Sequence, residues 1–580
     1  MKKFLLGIIA GFIIAGVTAV VLFFAAVKFA QRAPEPPEAA WLSLRMGGDM
    51  PELQPMMLPL PAWESRAPLT VAEAWSALRR AAKDDRVKGV LLRPRGLAIG
   101  WGKLEEIRSG IGEVRKAGKP VHAWLSSPGT REYYLASAAD KIYMAPEDVL
   151  DLRGLRVEAM YVKGTLDKLG IEVEIEHAGK YKDAGDMFTR TGMSPETREA
   201  LNAILDDQYA RLVKALAESR KTSVEKARAL IDGGPYVAPK AVAAGLIDEL
   251  LYEKDAEQRV EEVSGAKAKD KPKALGAREY LRIPPDLKGK KVRQVALLIA
   301  QGSILRTSPA DLFGEEQAIT PKGIEQQVKL IEKDPSIRGV IVRIDSPGGD
   351  AVASDEILEQ LKRLSRKKPM IFSMSDVAAS GGYYMAMTGD PIVAYPGTIT
   401  GSIGVIYGKA NLRGLYGKIG VNKEILKRGQ FADLDSDFQK LTPEGRAKLR
   451  ETIDFIYTGF LKRVSEGRKK KVDEIEPHAQ GRVWSGERAL ALGLVDANGG
   501  IDAAVEMLRK KAGIQDDEVV RVSVYPSPKS WFETWFRPSP SDETAWDAET
   551  ALLVRHMPAG LAPWLQGGFL RVLPYQIRIE

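Results

Sequence analysis

The sequence predicts an α/β fold made of two tandem domains behind an N-terminal transmembrane helix. Three observations predict it. Short apolar runs alternate with amphipathic helical stretches, the layered pattern of α/β proteins. That pattern recurs at a constant offset of 250 residues. Phe4 to Val27 is a run of 24 residues without a charge, which as a helix would span about 36 Å and so cross a bilayer core.

Residues 1–32 read as the membrane anchor. No small-x-small cleavage site follows the apolar run, so a retained helix is expected rather than a removed signal peptide. Gly7, Gly11, Ala15 and Ala19 recur every four residues, the spacing of a small-residue packing face. Residues 33–68 are proline-rich and read as a linker carrying one strand, Trp41 to Arg45. The first domain is expected over 69–252. It opens with a capping box, Thr70-Val-Ala-Glu73, before an amphipathic helix, and Gly89 to Leu92 supplies a buried strand. Residues 253–290 are rich in Lys, Glu, Asp and Pro and read as a solvated connector. The second domain is expected over 291–511. Beyond it, residues 512–580 show no repeat. They hold Trp531, Trp535, Trp546 and Trp564, which suit either a membrane interface or packing on the main body.

The duplication is visible residue by residue. Asp84-Asp-Arg-Val-Lys-Gly-Val-Leu-Leu-Arg93 matches Asp334-Pro-Ser-Ile-Arg-Gly-Val-Ile-Val-Arg343, and Tyr133-Tyr134 matches Tyr383-Tyr384. Ala244-Gly-Leu-Ile-Asp248 matches Leu492-Gly-Leu-Val-Asp496 at an offset of 248. Composition narrows the chemistry. The absence of cysteine excludes disulfides, thiol nucleophiles and thiolate metal sites. His122, His177, His478 and His556 are scattered without metal-ligand spacing, so no metal or cofactor is expected. A net charge of +8 on 580 residues is too small to point to a nucleic-acid partner.

The two copies differ where chemistry is expected. Asp376-Val-Ala-Ala-Ser380-Gly-Gly-Tyr-Tyr384 reads as strand, tight turn, helix. That geometry exposes one hydroxyl at a helix start, beside backbone N–H groups able to hold an oxyanion. In the first copy Ser380 becomes Thr130, and Gly381-Gly382 become Arg131-Glu132. The glycine loop Asp345-Ser-Pro-Gly348-Gly349 becomes Arg95-Gly-Leu-Ala98-Ile99. Conversely, Gly179-Lys-Tyr-Lys182-Asp183 aligns with Gly429-Gln-Phe-Ala432-Asp433, so only the first copy holds the lysines. A serine nucleophile needs a base, and no histidine lies in a triad context. A neutral lysine can serve. To do so near neutral pH it must be held about 4 kcal/mol away from its ordinary protonation by burial and nearby dipoles. Lys182 and Lys180 are both candidates. Ser402, in Thr398-Ile-Thr-Gly-Ser402-Ile-Gly404, can hold the remaining amine protons, and Gly349 and Gly381 N–H groups are candidates for the oxyanion hole.

At these residues the chain resembles the signal peptide peptidase A family of bacterial membrane-bound serine peptidases, in its long tandem form. The elements that carry the resemblance are Asp345-Ser-Pro-Gly-Gly349, Ala378-Ala-Ser-Gly-Gly-Tyr383, Gly401-Ser-Ile-Gly404 and Tyr181-Lys182, and it covers roughly residues 1–510. The resemblance implies a ClpP/crotonase-like fold in each half and a Ser/Lys dyad, with Ser380 the nucleophile and Lys182, rather than Lys180, the base. It implies Ser402 as the hydroxyl that coordinates the lysine. It also implies a homotetramer on the outer, periplasmic side of the cytoplasmic membrane that degrades hydrophobic signal peptides. Two other classes are weighed against it: a crotonase-type enzyme acting on acyl-CoA thioesters, and a membrane-associated scaffold with fossil motifs.

Overall fold

The computed structural model describes residues 36–54, 68–265, 273–287, 289–307, 318–527, 569–572 and 579, with isolated positions 11, 14–16 and 18. Apart from those positions the expected anchor, Phe4 to Val27, lies outside the described residues, as do the four tail tryptophans. Among the described residues no helix is long and apolar enough to cross a membrane.

Thr70 accepts from the Glu73 N–H while Glu73 accepts from the Thr70 N–H, and this capping box starts α1 (Val71–Lys83). The first repeat supplies strands β1 (Ala40–Gly48), β2 (Val87–Leu97), β3 (Val121–Leu125), β4 (Lys141–Met144), β5 (Glu172–Ala178), β6 (Glu249–Leu250) and β7 (Lys273–Gly276). All but β5 form one parallel sheet in the order β6-β4-β3-β2-β1-β7. The run Val90-Leu91-Leu92 is buried on both faces, which a central parallel strand requires. Helix α2 (Trp101–Lys116) follows β2 as its crossover.

The expected solvated connector is instead structured. It forms α3 (Glu253–Gly265), the edge strand β7 beside β1, and α4 (Ala277–Arg282), with Leu275, Ala277, Tyr280 and Ile283 buried. Its mean composition hides these few apolar positions, whose partner β1 lies more than 200 residues away.

The second repeat supplies β8 (Val292–Gln301), β9 (Ile337–Ser346), β10 (Gly348–Asp350), β11 (Met370–Ala379), β12 (Ile399–Gly401), β13 (Val405–Asn411), β14 (Val483–Ser485) and β15 (Val519–Tyr525). Six of them build a second sheet in the order β14-β12-β11-β9-β8-β15, parallel except at β14. β15 flanks β8 as β7 flanks β1, so the structural repeat runs past Lys511, where sequence similarity fades. The helix expected over Tyr383–Met387 is shorter and earlier, Gly381–Tyr384. The duplicated tyrosines do one job in both copies: Tyr133 Oη donates to the Leu246 carbonyl at 2.9 Å and Tyr383 Oη to the Leu494 carbonyl at 2.7 Å.

Two contacts lock the repeats together. Ala72 and Trp75 on α1 pack into the second sheet, against Leu297, Ile341 and Ile371. Arg343 on β9, fully buried, pairs at 3.0 Å with Glu106 of α2 and at 3.0 Å with Glu52, both also fully buried. Removing one member of such a group strands the other charges, at a cost of about 3–5 kcal/mol. A third, antiparallel sheet, β10-β16-β13-β5, draws β5 from the first repeat, β10 and β13 from the second and β16 (Phe569–Val572) from the C-terminal extension.

Glu105, beside the Arg343 group, is pushed up to about 7 by burial, although Arg211 and the Gly397 N–H oppose the shift. The folded chain therefore holds a proton that the unfolded chain releases from about pH 4.5 upward. The stability this adds is complete at acid pH and is lost as pH rises toward 7. Glu105→Gln removes the titration while keeping an acceptor for Gly397. Relative to wild type, its unfolding free energy in urea should gain up to about 1.4 kcal/mol per pH unit between pH 5 and 7. A relative loss over that window contradicts the assignment.

Candidate active site

Strand β11 carries Ser380 out of the second sheet. Its register against β9 breaks between Ile344 and Ser346, and the Asp345 carboxylate bridges the gap by accepting from the Val377 N–H at 3.1 Å. The chain then turns sharply. Ser380 has φ 53° and ψ −114°, a conformation a non-glycine residue holds only when its surroundings enforce it. The turn is pinned by the Ser380 N–H to the Gly401 carbonyl at 2.8 Å and by the Tyr384 N–H to the Ser380 carbonyl at 2.8 Å. Ser402, also at positive φ (51°), follows β12, the strand paired to the end of β11.

The first repeat delivers the amine. β5 pairs with β13 from Ala178↔Val405 to Glu172↔Asn411, and the chain leaves β5 into a turn holding Lys182. Lys182 is 0% exposed. Its Nζ lies 2.8 Å from Ser380 Oγ, 2.9 Å from Ser402 Oγ and 3.1 Å from the Ser402 carbonyl oxygen. Ser380 and Ser402 are likewise 0% exposed. Three residues singled out in the sequence, from opposite repeats, thus meet at one point within one chain.

Lys180 points elsewhere: it is exposed, and its ammonium lies 4.9 Å from the centre of the Tyr181 ring. Gly349 sits on β10 and Gly381 opens the short helix after Ser380, so both backbones flank the serine turn. His177 is exposed and engages the Gly179 carbonyl, while His122 is buried against Tyr143 Oη; neither touches the serine. Among the described residues no group of acidic or histidine side chains could hold a metal. Next to Lys182, Asp183 is pushed up to about 6 by burial, with the Thr197 hydroxyl donating to it.

Other residues at the site gave no signal in the sequence. The turn Gln480–Arg482 clamps both arms: its Gln480 carbonyl accepts from Tyr181 N–H at 2.8 Å, and its Arg482 carbonyl from Ser402 N–H at 2.7 Å. The decayed copy contributes a second clamp. Lys103 on α2 lies 2.8 Å from Asp345 and 3.8 Å from Asp376, the carboxylates behind the glycine loop and the nucleophile strand. Asp376 in turn accepts from the Gly100 and Lys103 N–H groups at 2.7 and 2.8 Å, capping α2 from the other repeat. Helix α6 (Ala351–Ser365), the counterpart of α2, is capped by its own Asp350, and the first copy has glycine there. A Cβ on Gly102 would meet the Ser375 carbonyl oxygen at 2.5 Å, so α2 approaches β11 as closely as a backbone can.

Comparison with known proteins agrees with this arrangement. The profile of Peptidase family S49 matches twice, over residues 113–267 and 362–515. "Protease 4" of Salmonella typhi is 32% identical over 445 residues, covering 74% of this chain and 70% of its own. "Protease 4" of Haemophilus influenzae is 30% identical over 459 residues, covering 77% and 73%. "Serine protease SPPA, chloroplastic" of Arabidopsis thaliana is 37% identical over 439 residues, 75% of this chain but 64% of that relative's length. Among solved structures, a ClpP1 point mutant from Listeria monocytogenes overlaps 36% of this chain and 94% of its own at 14% identity and a TM-score of 0.24, too little likeness to assign a fold. With the family profile matched in both repeats and relatives aligned across both, the chain belongs to peptidase family S49.

Proposed function

We propose that the protein is a membrane-anchored serine endopeptidase in which Ser380 is the nucleophile and Lys182 the general base. One observation carries this reading: the 2.8 Å contact between Lys182 Nζ and Ser380 Oγ, in full burial, with Ser402 as the third partner. An amine has two N–H donors and one lone pair. The Ser402 carbonyl can only accept, so it takes an N–H and leaves the lone pair to receive the Ser380 proton. Oγ then attacks the peptide carbonyl, and the oxygen that becomes negative is held by the Gly349 and Gly381 N–H groups. The lysine ammonium returns its proton to the leaving amine, and water repeats the sequence to release the acyl group. No cofactor enters any step.

The fold of each half is read as ClpP/crotonase-like. The substrates are hydrophobic peptides, including signal peptides after their release. Residues 1–32 hold the chain as a single-pass protein in a bacterial cytoplasmic membrane with its bulk on the periplasmic side, a reading supported by the uncharged stretch Phe4 to Val27. The chain assembles as a homotetramer. In support, Leu426 (95% exposed) and Phe455 (79% exposed) project from the second repeat, as surfaces buried between copies would.

Purified full-length protein should cleave a hydrophobic peptide. Ser380→Ala and Lys182→Ala should each lower kcat by about 10³-fold or more while keeping the wild-type melting curve. Near-wild-type turnover in either folded variant refutes the assignment. Gly481 offers an independent check. It has φ 76°, and a Cβ there would meet the Lys182 Cβ at 2.6 Å. Gly481→Ala should therefore displace the amine and lower kcat by about 100-fold, read by steady-state kinetics, although it alters neither reacting group.

A further inference from the structure

The third sheet carries an observation that the catalytic reading leaves unused. β16 comes from the C-terminal extension, yet it lies between two strands of the second repeat and is antiparallel to both. On one side Gly348, Gly349 and Asp350 face Val572, Arg571 and Leu570. On the other, Ile406 and Tyr407 face Leu570 and Phe569. Both flanking strands belong to the site. β10 contains Gly349, and β13 begins three residues after Ser402 and is paired on its far edge with β5, which leads to Lys182. Leu570 is 1% exposed and packs against Ala184 and Ile406. The Phe569 ring lies 5.3 Å from that of Tyr407. With β16 in place, Ser380 and Lys182 are both 0% exposed.

Neighbouring strands lie about 4.8 Å apart, so β10 and β13 bound a slot about 10 Å across, one strand wide. Without β16 the slot would present two facing rows of unpaired N–H and C=O groups, which an extended peptide satisfies on both sides at once. The backbone of β10 would then run alongside the peptide bonds, with Gly349 beside a carbonyl. We propose that this slot is the substrate cleft, that it takes an extended peptide as an antiparallel strand with an apolar side chain in the place of Leu570, and that β16 is a resident occupant which substrate must displace. Because the occupant is tethered, it competes at the high effective concentration of an intramolecular ligand. The inference deepens the peptidase reading and rests on it.

The chain has no cysteine, which makes the test clean. Tyr407 and Phe569 are directly opposed across β13 and β16. In the full-length Tyr407→Cys/Phe569→Cys protein, oxidation should form a disulfide, verified by mass spectrometry of the joined peptides. It should lower cleavage of a hydrophobic peptide, and labelling of Ser380 by a fluorophosphonate, by at least about tenfold, and reduction should restore both. Failure of the cysteines to join overturns the proposal, because β16 is then not beside β13. A verified crosslink that leaves cleavage and labelling unchanged also overturns it. Full-length Leu570→Asp, which weakens the occupant without adding a link, should raise kcat/KM by about tenfold through a lower KM; an unchanged or lower kcat/KM counts against it. If the wild-type chain neither cleaves the peptide nor labels at Ser380, and Leu570→Asp does neither as well, the catalytic reading has failed rather than this one.

Discussion

Everything at the candidate site depends on one buried contact, the amine of Lys182 held between Ser380 and Ser402. A lysine side chain is expensive to desolvate, and it stays buried only where fixed partners receive its hydrogens. Here those partners are a hydroxyl and a carbonyl of Ser402 and the hydroxyl of Ser380, each on a strained turn. The turns keep their strained shape because neighbouring strands and the Gln480–Arg482 turn bind their backbones on several sides. The energy to hold an amine against a serine is therefore drawn from the packing of both repeats.

Duplication makes that division of labour workable. Each repeat keeps its own parallel sheet and core, so either can lose half of an ancestral site without losing its fold. The first repeat has lost the serine turn and its glycines, yet it gains new duties. It supplies Lys182 through the mixed sheet and Lys103 through α2. Helix α2, capped by Asp376 rather than by a residue of its own, ties its N-terminus to the nucleophile strand. The fully buried Arg343 with Glu52 and Glu106 fixes the same interface a few residues away. These contacts explain why Ser380 and Lys182, 198 residues apart, share a hydrogen bond.

Much of this was legible in the sequence, for a physical reason. A duplicated scaffold holds packing constant, so the positions at which the copies disagree stand out. Ser380 against Thr130, the glycine loop at Gly349 against Ala98 and Ile99, and Lys182 against Ala432 were visible in that way. Local rules also sufficed where the partner is near in sequence, as with the Thr70 capping box. They failed where the partner is distant. Lys103 reads as an ordinary helix lysine until Asp345 is seen beside it. Gly481 reads as a loop glycine until the Lys182 backbone is found against it. The stretch 253–290 looks solvated by composition, yet four apolar side chains anchor it to β1 and α1. The strand at Phe569–Val572 carries no motif at all, because its place is set by two strands that it joins only in the fold.

The central claim is that one chain furnishes both reacting groups, the alcohol from its second repeat and the amine from its first. Mixing separately inactivated chains tests it most directly. Ser380→Ala and Lys182→Ala proteins, co-expressed so that they assemble together, should show no more peptide cleavage than the two variants measured apart, because neither chain then holds a complete pair. Recovery of a substantial fraction of wild-type cleavage in the mixed assembly would mean that neighbouring chains exchange these groups, and would contradict the account.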